Sequence, residues 1–407
     1  MTSATLRRAA PGASPAKGEA LVAVAKTLRD QFRVDAAKRD LDRIIPHEEL
    51  AALKASGILS ARIPASHGGP DLPWTDVARI FYDLSRADPN IGQAIQAHTA
   101  IIEILRIDAP EPIRRRIFDH VLAGGMITNA VAERHVAFYG DIGSRLLRTA
   151  QGYRLRGRKY YATGSLFAED LMITARAEDD RIATIVIPAN RAGLVIEDDW
   201  NGMGQRTTAS GTVALNDVAV SGDEVFFAPP AAERRWHVQA AAQLLHVAID
   251  AGIARAAYED ALELARRHGR TLRESGVAAA VEDPYVLAAI GDLSTESVVA
   301  EAITLRAAGI VDRACERFHA GTVTEADLSE ASIAVAEAKI VTTRAALKNG
   351  EKLYEVANAS GTDRSLNLDR HWRNARTHTT HDPLAYKFRF IGDYRLNGRA
   401  PPATVKI

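Results

Sequence analysis

The chain is 407 residues long and 47% hydrophobic, enough to bury a sizeable core in two or three structural units. Lys+Arg and Asp+Glu both number 51, so the formal net charge is zero and no electrostatic argument points to nucleic acid or an anionic membrane surface. The single cysteine, Cys315, excludes an intramolecular disulfide and a thiolate metal cluster within one chain, and fits a reducing cytoplasm.

The opening stretch MTSATLRRAAPGASPAKGEA carries Arg7 and Arg8 with no apolar run behind them, and reads as a frayed arm rather than a signal peptide. No uncharged stretch approaches the roughly 20 apolar residues of a membrane helix, so the expectation is a soluble, cytoplasmic protein. Residues 17–125 read as mostly helical. HEELAALKASGIL, from His47, puts Leu50, Leu53 and Ile58 near one face, with Gly57 where the helix should stop. SRADPN and DAPEP are breaks, and IGQAIQAHTAIIEIL between them predicts one buried helix carrying His98.

Near Asn129 the texture changes to short runs rich in β-branched and aromatic residues, punctuated by Gly, Asp and Asn as in an all-β unit. After about Trp236 long helices return. Ile303, Ala307, Ile310 and Ala314 step by four, three and four, as do Ile333, Ala336, Ile340 and Leu347 approximately, and the alanine content permits close packing in a bundle. The expected units are 1–125, 126–236 and 237–407.

The chain contains no GxGxxG, GxxxxGK[ST] or HExxH motif. His378 and His381 stand three apart, but no carboxylate or cysteine cluster accompanies them and Pro383 breaks a continuing helix, so no metal site is expected. The densest polar stretch is LDRHWRNARTHTTHDP, Leu368 to Pro383. It reads either as a solvated helix end or as a buried phosphate or flavin edge, because the guanidinium fork pairs phosphate oxygens bidentately. GRKYYATGSLF presents two hydroxyls after a strand, as an ordinary turn or a ligand loop. DDWNGMGQRTTASGT joins an aromatic to a Gly-rich hydroxyl loop.

Together these segments resemble the acyl-CoA dehydrogenase superfamily over nearly the whole chain: SGILSARIPASHGGPDLPW early, KYYATG (Lys159–Gly164) at the flavin strand, and MGQRTTASGTVALNDVAV leaving the β unit. DDWNGMGQRTTASGT, AQLLHVAIDAGIARAA and LDRHWRNARTHTTHDP are closest to one branch, the flavin-dependent monooxygenases. The resemblance implies an N-terminal helical domain, a central β-barrel-like domain and a C-terminal four-helix bundle. Where many dehydrogenases carry a Glu-Gly-Thr loop with a catalytic glutamate, this chain reads THTTHDP.

The resemblance implies FMN as cofactor, supplied as FMNH2 by a separate NAD(P)H:flavin reductase, with O2 as co-substrate adding at the flavin C4a carbon as a hydroperoxide. A small, organosulfur compound would be oxygenated. It further implies Thr163 near flavin N5, with Ser165 on the same side of an extended strand. Asn129 would contact the flavin or the peroxide, and His98 and His381 would handle its proton. Arg370, Arg373 and a neighbouring subunit's Arg270 are the candidates for the FMN phosphate, with His378 a further cofactor contact. Trp200 would wall the substrate, as would Ile102 one turn from His98. A homotetramer is implied. The alternatives are an FAD-dependent acyl-CoA dehydrogenase, a flavin N-hydroxylase of an amine, and a flavin-binding scaffold without catalysis.

Overall fold

The computed structural model describes residues 15–138, 140–229, 237–267 and 271–402. Seven helices come first: α1 (Pro15–Phe32), α2 (Ala36–Asp42), α3 (His47–Ser56), α4 (Trp74–Ala87), α5 (Pro89–Ala94), α6 (Gln96–Asp108) and α7 (Glu111–Leu122). Gly57 ends α3 in the left-handed conformation, φ +79°, which a residue with a Cβ adopts only at a cost. The single helix expected around His98 is two. Asp88 caps α5 through Asn90 N–H, and the chain breaks at Ile95 before α6 begins.

Eight strands follow: β1 (Ile127–Ala130), β2 (Arg145–Thr149), β3 (Gly152–Lys159), β4 (Asp170–Ala177), β5 (Ile182–Pro188), β6 (Leu194–Ile196), β7 (Val213–Val220) and β8 (Val225–Phe226). The order is β6-β7-β3-β2-β4-β5-β8, with β1 and β2 parallel to opposite ends of β4. A register shift between Leu155 and Gly157 curls the sheet around its own core of Leu146, Leu155, Leu171, Ile173, Ile185, Val213 and Val218.

The last part is α8 (Val238–Arg267), α9 (Pro284–His319), α10 (Glu325–Ala357), α11 (Arg370–Thr379) and α12 (Leu384–Asn397). From Val238 to Ala257, α8 is buried on nearly every side, the pattern of a central bundle helix. Element class therefore changes between Leu122 and Ile127 and again between Phe226 and Val238.

One buried carboxylate ties three helical segments together. Glu103 on α6 accepts two Arg62 nitrogens at 2.6 and 3.1 Å on one oxygen, and lies 3.0 Å from both His237 Nε2 and His319 Nε2 on the other. Cys315 Sγ completes a set of donor atoms within 4.8 Å of one another, and Arg62, stacked on Trp74, supplies the cation there.

Candidate active site

Strands β1 and β3 end side by side because Lys159 holds them. Its buried ammonium meets Glu133 at 2.6 Å and the Val131 carbonyl at 3.2 Å, and Tyr160 N–H donates to the Ala132 carbonyl. The Tyr160–Gly164 turn is thereby laid against β1, where the Thr128 hydroxyl donates to the Thr163 carbonyl at 2.5 Å. Gly164 sits at φ +79° with its α-carbon against the Ala94 carbonyl of α5, so a side chain there would collide. The turn corrects one expectation. Thr163 and Ser165 do not share an extended strand: Ser165 opens a 3-10 turn over 165–167 and its hydroxyl donates to the Ala209 carbonyl at 3.3 Å.

Facing this turn is the loop from Gln205 to Thr212. Tyr161, Gln205 and Ala209 all adopt positive φ, of 58°, 52° and 51°, a concentration of backbone strain that persists only where the surroundings impose it. Thr208, Ser210 and Thr163 form a hydroxyl chain, with oxygen separations of 2.7 and 2.8 Å. The Asn374 side chain on α11 accepts from Gln205 N–H at 2.6 Å, and Asn90 on α5 accepts from Thr207 N–H at 3.1 Å. Both polar atoms of the Gln205 amide and the hydroxyls of Thr207 and Thr377 are buried without hydrogen-bond partners. Amide and hydroxyl groups left in this state match a planar ligand with alternating donors and acceptors, as at the pyrimidine edge of a flavin. These residues fit such a group. Half-buried Asn129 on β1 keeps its amide unengaged among the described residues.

The second half of the site is a string of imidazoles. Asp250 on α8 receives Lys339 at 2.7 Å and Thr343 at 3.1 Å from α10, and lies 2.5 Å from His378 Nδ1. His378 Nε2 is 3.0 Å from His246 Nδ1, one turn before Asp250, and 3.1 Å from the Gln93 side-chain oxygen of α5. The His246 ring lies 4.5 Å from that of His381, tilted by 32°. Asp250, Lys339, Thr343, His378 and His246 are buried, Gln93 is half-buried, and the His381 side chain is 42% exposed. Burial, with His381 and His378 alongside, pushes the His246 imidazole well below its ordinary range, and burial likewise lowers His378. Burial raises the Asp250 carboxyl, but Lys339 and His378 outweigh it and hold it low.

Helix α5 joins the two halves: Asn90 meets Thr207, Gln93 meets His378, and Ala94 backs Gly164. Other expected residues fall elsewhere. His98 is fully buried, with Nε2 2.8 Å from the Leu59 carbonyl and Nδ1 3.2 Å from Ile127 N–H, so both ring nitrogens are spent on backbone. Burial pushes its imidazole down to about 4. It thereby ties α6 to β1 and to the Leu59 carbonyl. Ile102 is 0% exposed within the helical core.

Arg370 is engaged by Asp260 and by the Asn367 carbonyl, and Arg373 by Asp40, Asp369 and the Met203 carbonyl. Both guanidinium forks expected to take phosphate are thus already paired with carboxylates. His378 contacts protein on both nitrogens, behind His381. Arg270 lies outside the described residues. Trp200 is half-buried against Tyr160 and Tyr161, and donates to the Gln205 carbonyl at 2.7 Å. The sequence reading missed Gln205, Thr207, Ser210, His246 and Asp250. A histidine and an aspartate one turn apart inside the apolar run LLHVAIDAGIA were the available signal for the last two.

A family model described as acyl-CoA dehydrogenase, N-terminal domain, matches residues 17–124, and one described as acyl-CoA dehydrogenase, C-terminal domain, matches residues 244–385. The chain belongs to the acyl-CoA dehydrogenase family. Within it the chain is similar to flavin monooxygenases. It is 30% identical to dibenzothiophene monooxygenase of Rhodococcus erythropolis over 93% of this chain and 94% of that one. It is 31% identical to the probable FMNH2-dependent monooxygenase SfnC of Pseudomonas putida, over 93% and 95%. The FMN-bound crystal structure of TdsC from Paenibacillus sp. A11-2 superposes with a TM-score of 0.88 at 32% identity, covering 95% of this chain and all of that one. Among the described residues no helix is long and apolar enough to cross a membrane.

Proposed function

We propose that this chain is the oxygenase component of a two-component system: it takes FMNH2 from a separate reductase, uses O2, and transfers one oxygen atom to a small organosulfur compound. The observation that carries this reading over a dehydrogenase is the loop after α11. It presents the His381 imidazole and buries its one carboxylate, Asp382, completely, so no carboxylate base is offered to a thioester substrate. The relatives named for dibenzothiophene oxygenation and for FMNH2 dependence support the cofactor and the sulfur substrate.

Bound FMNH2 would supply the electrons that activate O2. The residues do the rest. Gln205, Thr207 and Thr377 offer hydrogen bonds to the flavin ring system, and Thr163 and Asn129 offer a hydroxyl and an amide beside it. His381, the accessible imidazole of the string, gives or takes the proton. Trp200 with Tyr160 and Tyr161 forms an aromatic wall suited to a flat or apolar substrate.

Exposed Tyr285, Leu287, Val298 and Val299 on α9 supply an apolar surface for assembly into the homotetramer, where a neighbouring Arg270 would reach the phosphate. The protein acts in the cytoplasm, where reduced flavin is available. The deciding experiment couples the purified chain to an NADH:FMN reductase under 18O2 with dibenzothiophene and small sulfinates or sulfones. One labelled oxygen in the product supports the reading. FAD preference with dye reduction by an acyl-CoA, and no labelled product, would return the chain to the dehydrogenases.

A further inference from the structure

We propose that His246 is a positioning residue for His381: its ring packs against the His381 ring and is itself held in one orientation by the His378–Asp250 pair. The argument is geometric. Ionised Asp250 only accepts, so His378 Nδ1–H donates to it across 2.5 Å. Neutral His378 then has a lone pair on Nε2, which accepts a hydrogen bond from His246 Nδ1–H across 3.0 Å; this assignment requires the Gln93 amide, placed with its oxygen 3.1 Å from that nitrogen, to have its oxygen and nitrogen exchanged. Flipping the His246 ring would break that bond, so the face it offers to His381 is fixed.

His381 itself follows the end of α11 and is 42% exposed, so a stacked neighbour has much side-chain freedom to remove. The groups facing this pair are His378 and Asp382 beside it, Asp250 and Gln243 on α8, Lys339 and Thr343 on α10, Lys387 on α12, and Gln93 on α5. Asp250 and Lys339 form a buried ion pair, burial lowers the proton affinity of both His246 and His378, and His381 is the accessible ring of the three. A buried ion pair is expensive and adds little stability over apolar packing. Stringing two imidazoles outward from it gives this one a use that packing alone does not.

The kinetic part of the test rests on the oxygenase reading; the rest does not. In flavin-free full-length protein, diethylpyrocarbonate modification of His381 would be followed by peptide mass spectrometry between pH 5 and 8. His246→Asn keeps a donor toward His378 but removes the ring; His246→Phe keeps the ring and loses the donor. Expected for His246→Asn are faster modification of His381, a displaced midpoint, and a kcat in the coupled assay lower by ~10–100-fold at unchanged KM. His246→Phe should restore part of each. Asp250→Asn, which leaves the Lys339 charge uncompensated behind the rings, should move the His381 midpoint downward. Wild-type modification rate, midpoint and kcat in His246→Asn would overturn the proposal, as would an unmoved midpoint in Asp250→Asn should His246→Asn not fold. If the wild-type protein oxygenates nothing, the functional reading fails while the modification data still decide the role of His246.

Discussion

Glu103 and Asp250 are both fully buried carboxylates, Glu103 held by Arg62, with Arg106 at 3.9 Å, and by two histidines, Asp250 by Lys339, Thr343 and one histidine, and they are wired differently. Around Glu103 every partner converges: Arg62, His237 and His319 all point at the same carboxylate. Around Asp250 the partners run outward, through His378 and His246, to a ring that meets solvent. The same residue chemistry makes a fastener in one place and a conduit in the other. What separates them is whether the last histidine points back at the acid or away from it.

That contrast can be broken in order of effect. His381→Ala should lower coupled oxygenation by ~10²–10⁴-fold with the thermal transition unmoved, since a half-exposed ring contributes little to stability; full activity would remove the conduit. Glu103→Gln strands the Arg62 charge and should cost about 3–5 kcal/mol in urea unfolding, with kcat per folded molecule unchanged. A kcat loss at full stability would mean the fastener also serves catalysis.

His98→Gln should cost ~1–3 kcal/mol through the Leu59 and Ile127 backbone groups it leaves unsatisfied. It also has a pH signature. The folded imidazole sits at about 4 against an ordinary 6.5, so the unfolded chain binds a proton that the fold refuses between those values. Stability is therefore fully present above pH 6.5 and falls as pH drops toward 4, and His98→Gln should flatten that decline. An unflattened slope would take His98 out of the balance. The smallest effect is expected for Ile102→Val, about 0.5–1.5 kcal/mol with KM unchanged. A shifted KM would put Ile102 back beside the substrate.

The sequence was most readable where periodicity or a punctuating residue fixed the outcome: the stop at Gly57, the change of texture near Asn129, and the long alanine-rich helices. It was less readable where a residue type was right for the chemistry but its contacts were decided by distant chain. His98, Arg370 and Arg373 are the residues a flavin site needs, yet Leu59, Ile127, Asp260 and Asp40 claimed them first. Gln205 and Thr207 went unnoticed because a Gly-rich hydroxyl loop says nothing about which polar atoms stay unpaired once α5 and α11 close over it. The imidazole string was only half legible for a related reason: His378 and His381 stood out, but the partners that order them come from α5, α8 and α10, far apart in the chain.

The six-residue α5 touches both halves of the site through Asn90, Gln93 and Ala94, at Thr207 and Gly164 on one side and His378 on the other. Any ligand that draws the Gln205–Ser210 loop toward itself must pull on the same rod that braces the imidazoles. Were loop occupancy to shift α5, it would move the Gln93 contact to His378 as well, and by linkage any change at His378 would act back on the loop's ligand by an equal factor.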